Sequence, residues 1–130
     1  MIDAPRALRE HLLADANVVA QCGDRVWADT DTPAPGYKPS DGGAIVFTFR
    51  GGIPDYSDAL LVPSVQFKCY GGSSPYDAQE TYRVLYDAMQ NTAGAEVRHA
   101  RCEVIGQSLS EPDSGWPFVL TYFKVWIGNP

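Results

Sequence analysis

The sequence predicts an α+β fold, a mainly antiparallel four- to five-stranded sheet with two main helices packed on one face. Residues 64–70 alternate Val65, Phe67 and Cys69 with Gln66, Lys68 and Tyr70, the period of a strand with one buried and one wetter face. After Gly71-Gly72, Ser74, Pro75 and Asp77 open an amphipathic helix that runs to about Asn91. Ala78, Tyr82, Leu85, Tyr86 and Met89 line one side of it, and Gln79, Glu80, Arg83, Asp87 and Gln90 the other. The last third holds two extended runs, residues 96–107 and 117–127, joined by Pro112-Asp113-Ser114-Gly115. A strand that feeds a helix lying back across its own sheet is the expected hydrophobic centre.

In chain order, Asp3 caps a first helix with Ala4 and Pro5 in its opening turn and Leu8, Leu12 and Ala16 roughly on one side. A break at residues 15–17 precedes a short second turn, Val18 to Cys22, closed by Gly23. Arg25-Val26-Trp27 begins an extended segment. Residues 28–43 hold three prolines, three glycines and three aspartates, so a long loop with no regular element is expected, and a loop of that length is usually functional or disordered. Residues 44–50 are nearly continuous in apolar side chains, as in a strand covered on both faces. Gly51 to Asp55 turns the chain. Extended structure resumes near Ala59, and Pro63, which cannot donate to a ladder, predicts a sheet edge or a bulge there. Thr92-Ala93-Gly94 ends the major helix. In the last strand Val119, Thr121, Phe123, Val125 and Ile127 alternate with Leu120, Tyr122, Lys124 and Trp126. Large apolar groups on both faces are more than helices on one side can bury, so a partner is expected to cover the rest.

The 130 residues are expected to form one domain, residues 1–130, and 45% hydrophobic with 20% charged residues is a globular composition. No apolar run reaches signal-peptide or membrane-helix length, which predicts a soluble protein that stays where it is made. Cys22, Cys69 and Cys102, an odd number with no C-x-x-C pair, argue against a disulfide framework or zinc site and for a reducing compartment. A net charge of −6 speaks against a nucleic-acid-binding surface. The loops at 28–43, 51–58 and 108–116 carry Asp29, Asp31, Asp41, Asp55, Asp58, Glu111 and Asp113 against Lys38 alone, which is the whole acidic excess. Two readings stay open: solvated turns, or loops facing something that must not stick to them.

The candidate chemistry is thin. Gly71-Gly72-Ser73-Ser74 between a strand and a helix invites an anion-binding reading, but it lacks the spacing and lysine of a P-loop, and Asp77 and Glu80 already charge that helix end. His11 and His99 have no locally arranged carboxylate or thiol. Asp55 with Asp58, or Glu111 with Asp113, sit in Pro/Gly turns, where acids are ordinary turn residues. No catalytic residue, cofactor or metal site is expected.

The order of features resembles a known family. The opening Ala7 to Asp15, Gly23-Asp24-Arg25-Val26-Trp27 after a short helix, the proline-rich loop into Ala44-Ile45-Val46-Phe47, the strand Val65 to Tyr70 running into Ala78-Gln79-Glu80-Thr81-Tyr82, and Gly115-Trp116-Pro117 before the last strand are similar to the tail terminators, or tail-completion proteins, of long-tailed bacteriophages. The similarity extends over nearly the whole chain. It implies a structural virion protein that closes as a ring, typically a homohexamer, on the last ring of tail tube protein, halts tube growth and offers a joining surface to the head-tail connector or neck. It also implies that DNA passes the lumen without specific binding, past acidic loops. By loop position the ring, tube or connector contacts are expected at Asp29, Asp31, Tyr37, Lys38, Asp55, Tyr56, Asp58, Glu111, Asp113 and Trp116. Deleting residues 30–40 is expected to leave the fold intact while abolishing head-tail joining or length control. The alternatives are a neck or head-completion protein and, from another class, a small α+β enzyme or ligand-binding domain. The mass of the purified chain in solution separates ring from monomer.

Overall fold

A computed structural model describes residues 2–54 and 60–129. The elements follow the expected order: α1 (Ala4–Leu13), α2 (Ala16–Cys22), β1 (Val26–Ala28), β2 (Ala44–Pro54), β3 (Leu60–Tyr70), α3 (Pro75–Met89), β4 (Val97–Ser110) and β5 (Pro117–Gly128), with a 3-10 turn at Pro39–Asp41 between β1 and β2. The five strands form one sheet in the order β1-β2-β3-β5-β4, parallel between β1 and β2 and antiparallel elsewhere.

The helix starts are set by their caps. Asp3 accepts from the Arg6 N–H, Asp15 from those of Asn17 and Val18, and Ser74 from that of Asp77. Asp15 moves the break between the first two helices one or two residues earlier than expected, because its carboxylate starts α2 at Ala16. Gly23, at φ 59°, ends α2. All three helices contribute to one core against one face of the sheet. Leu8 and Leu12 of α1, Val18 and Cys22 of α2, and Leu85 and Met89 of α3 are fully buried there. They pack with a row of rings that crosses the central strands, Phe47 to Phe67 to Phe123, each step 5.7 Å between centroids. Each such aliphatic side chain contributes roughly 1.5–3 kcal/mol by leaving water. Cys22, Cys69 and Cys102 are free, and burial pushes the Cys22 thiol up to about 12.

Two expectations about the sheet are corrected and a third is resolved. Of the edge or bulge expected around Pro63, the bulge is present and the edge is not: β3 pairs with β2 on one side and β5 on the other. Pro63 is accommodated by the bulge, since the register of β2 slips between Phe49 and Gly52 and Gly52 stands opposite Pro63. The turn expected from Gly51 begins later, because β2 runs on to Pro54; Asp55, Tyr56 and Asp58 lie outside the described residues. The strand expected to stop at Gln107 continues to Ser110, held by pairs such as Leu109 with Phe118.

Candidate functional site

The face of the sheet opposite the helices is dry at one end and wet at the other, and the loop between β1 and β2 makes the difference. Asp29, at φ 59°, turns the chain away from β1. Thr30 is then tied down twice: its N–H donates to the Phe47 carbonyl (3.2 Å) and its carbonyl accepts from the Thr48 hydroxyl (2.8 Å). The Asp31 carboxylate accepts from the Thr48 hydroxyl (3.0 Å), Arg50 (3.0 Å) and the Gln66 amide (3.4 Å). Beyond Pro33-Ala34-Pro35, Tyr37 lays its ring edge-on against Trp27 (5.7 Å), Tyr70 (6.3 Å) and Trp116 (5.8 Å). Its hydroxyl donates to the Gly42 carbonyl (2.7 Å). Asp41 accepts from the Lys38 N–H (3.1 Å) to close the 3-10 turn, and Arg25 donates to the Gly43 carbonyl (2.9 Å).

Tyr37 thereby covers Ala44, Val46, Tyr70 and Phe118, a second core on this face. This is why residues 44–50 read as a strand covered on both sides, and why Tyr70 is fully buried instead of wet. Burial pushes the Tyr37 hydroxyl up to about 12, and burial together with its bond to Glu111 moves Tyr70 in the same direction. The 28–43 loop therefore contains a short regular turn and a core residue. Deleting residues 30–40 would strip Tyr37 from the sheet, so the expectation that such a deletion spares the fold is corrected.

The second loop meets the first. Glu111 accepts from the Tyr70 hydroxyl (2.5 Å) and pairs with Lys68 (3.4 Å), whose ammonium also lies over the Phe118 ring (4.9 Å). Trp116 packs on Tyr37. Between the loops runs an open groove of about 280 Å³, lined by Thr32 to Tyr37 and by Glu111, Asp113, Ser114 and Trp116. Of the sequence-selected residues, the fold thus assembles Asp31, Tyr37, Glu111, Asp113 and Trp116 on one surface. Asp29 and Lys38 stand exposed at the two ends of the loop. Tyr37 and Glu111 hold the surface from beneath. Asp31 and Glu111 are each answered by a sheet cation, Arg50 and Lys68, so the acidity that faces solvent here comes from Asp29, Asp41 and Asp113.

Comparison with known proteins adds the following. No family model and no curated protein matches the sequence. Among solved structures, the chain is similar to a chain of the virion of a native gene transfer agent particle, with a TM-score of 0.62 at 13% identity. The match takes in 98% of this chain and 100% of that one. The two share a fold from end to end. At that identity the likeness speaks for backbone architecture, and side-chain roles must come from this chain.

Sequence reasoning did not single out the other end of the same face. There Arg101 of β4 and Lys124 of β5 are cross-strand partners, Lys124 lies over the Trp126 ring (5.3 Å), and His99 stacks on that ring (4.9 Å). Val104 stands exposed on the same strand, and Ile105, also exposed, lies on the α3 side beside Tyr82 and Tyr86. The pairing register that brings these residues together involves three irregularities in β4, between Val97 and His99, between Cys102 and Val104 and between Val104 and Gln107, and alternation alone does not reveal them. Among the described residues no group of three or more His, Cys, Asp or Glu is placed to hold a metal ion, and no helix is long and apolar enough to cross a membrane.

Proposed function

We propose that the chain is a structural component of a phage-like virion, a tail terminator that closes as a ring on the end of the tail tube. It stops tube polymerisation and provides the surface on which the head is joined. The observation that carries this reading is the end-to-end similarity to a chain of a gene transfer agent virion, in which neither chain has a substantial segment left over. The order of sequence features quoted above independently resembles tail terminators. In this reading one domain of 130 residues forms a homohexamer. Its partners are the tail tube protein and the head-tail connector, DNA passes through the lumen without specific binding, and no membrane is involved. The chain is assembled in the host cytoplasm and resides in the tail or neck of the virion. Its work is done by shape and contact, without catalysis, cofactor or metal.

The ring, tube or connector contacts are assigned to the loop surface, Asp29, Asp31, Lys38, Asp113 and Trp116, with Tyr37 and Glu111 holding it, and to Asp55, Tyr56 and Asp58, which lie outside the described residues. Acidic side chains there suit a lumen or rim past which phosphate must move without capture. Electron microscopy of particles carrying a label on this chain tests the assignment. A label at the junction of tube and head, with over-length, headless tails when the chain is omitted, is the expected result. A label within the head shell, or tails of normal length and normal attachment without the chain, would overturn it. A label at the neck with normal tail length would make the chain a connector component instead.

A further inference from the structure

The two edges of the sheet are unequal. β1 is three residues long, and Arg9 donates to the carbonyls of Val26 (2.7 Å) and Asp24 (3.3 Å), so that edge is short and already answered. The β4 edge is fenced along its first half by α3 and the turn after it. The Gln90 side chain accepts from the Cys102 N–H (2.7 Å), the Asn91 N–H donates to the Ala100 carbonyl (2.9 Å), and the Tyr82 hydroxyl accepts from the Gly106 N–H (2.9 Å). The backbone is thus largely satisfied while the side chains are not. Five large hydrophobic side chains are exposed among the described residues, and three of them, Val104 (49%), Ile105 (76%) and Leu109 (38%), lie on β4. Near Val104, Arg101 and Lys124 face each other across the β4–β5 ladder, a like-charge pair that costs stability. Neither has an ion-pair partner among the described residues. Glu103, the carboxylate beside them, instead accepts from the Ser64 hydroxyl (2.8 Å).

We propose, resting on the ring reading above, that this β4–β5 surface receives a second copy of the chain, and that what it receives is the exposed Asp29 at the start of the β1–β2 loop. Two features of the molecule select that occupant. A cationic patch repels its own image, so a two-fold pairing of β4 with β4 is disfavoured and the mate must be acidic. Asp29, exposed just after β1, lies at the opposite edge of the same sheet, so copies join head to tail, the arrangement that closes into a ring. Joined in this way, Asp29 of one copy meets Arg101 and Lys124 of the next.

The test is the solution mass of R101E/K124E, with folding checked by thermal melting and R101Q/K124Q as a milder second variant. Both positions are exposed, so the fold should hold. The double reversal should raise the concentration needed for ring formation about tenfold or more, the neutral variant less, and adding D29K to the reversal should recover part of the loss. Wild-type rings should loosen as salt is raised. Rings of R101E/K124E as stable as wild type would overturn this contact and leave the ring reading standing. Loss without recovery by D29K would overturn the acidic mate. If wild type neither forms rings nor caps tube ends, the ring reading falls and this contact with it.

Discussion

Replacing Tyr37 by alanine removes a ring that touches Trp27, Tyr70 and Trp116 at once and uncovers Val46 and Phe118. The expected cost is about 3–5 kcal/mol, the range for deleting a buried aromatic. Y37F keeps the ring and loses only the bond to Gly42, so it should cost about 1 kcal/mol. Thermal melting of the pair separates packing from hydrogen bonding. If Y37A melts with wild type, the loop is not fastened as described. The same residue sets a response to alkali. The folded state holds the Tyr37 phenol neutral, with its titration moved from 10.0 up to about 12, and Tyr70 moves in the same direction. In the unfolded chain these groups lose protons first, so the stabilisation is complete below pH 10 and declines as pH rises from there towards 12. Denaturant melts across that window should show the decline in wild type and a smaller one in Y37F.

At the level of elements, the β2–β3 pair is tuned by its bulge. Gly52 has φ 124°, and a Cβ built there would lie 2.5 Å from the Pro63 Cα and the Val62 carbonyl oxygen. G52A should therefore destabilise by more than ~1 kcal/mol, and a Tm equal to wild type would show that this part of the hairpin does not hold its register. Deleting residues 30–40 should lower the Tm and expose apolar surface to a hydrophobic dye, because Ala44, Val46, Tyr70 and Phe118 lose their cover. A deletion that melts normally and binds no dye would contradict the second core. These elements also show what is legible in a sequence. Local signals carried far: Asp3, Gly23, Ser74 and the alternation of Val65, Phe67 and Cys69 marked the helix ends and the inner face of β3, and the order of elements followed. Long-range contacts did not show. Pro63 left edge and bulge both open, because no local signal says that Gly52 stands opposite it. Tyr70 looked wet because Tyr37, 33 positions earlier, is what dries it. Of the candidate site, the residue types and the two meeting loops were visible. Which acids are answered by Arg50 and Lys68, and how Arg101 comes to face Lys124, depend on cross-strand register.

For the molecule as a whole, the distribution of covered and uncovered surface carries the functional argument. Helices close one face, the β1–β2 loop closes half of the other, and Arg9 closes the short edge. The β4–β5 end is left with cations and apolar side chains together, opposite an edge that carries acids. A chain that acts alone gains nothing from this asymmetry, whereas one that meets its own copies head to tail uses both ends. The central claim is that self-assembly is the activity, and light scattering of the purified chain across concentration, alone and with tail tubes added, tests it most directly. The account predicts a closed species near six times the 14.2 kDa chain mass, either free or formed at tube ends, with tube growth halted. A particle of single-chain mass at every concentration, beside tubes that continue to lengthen, would contradict it.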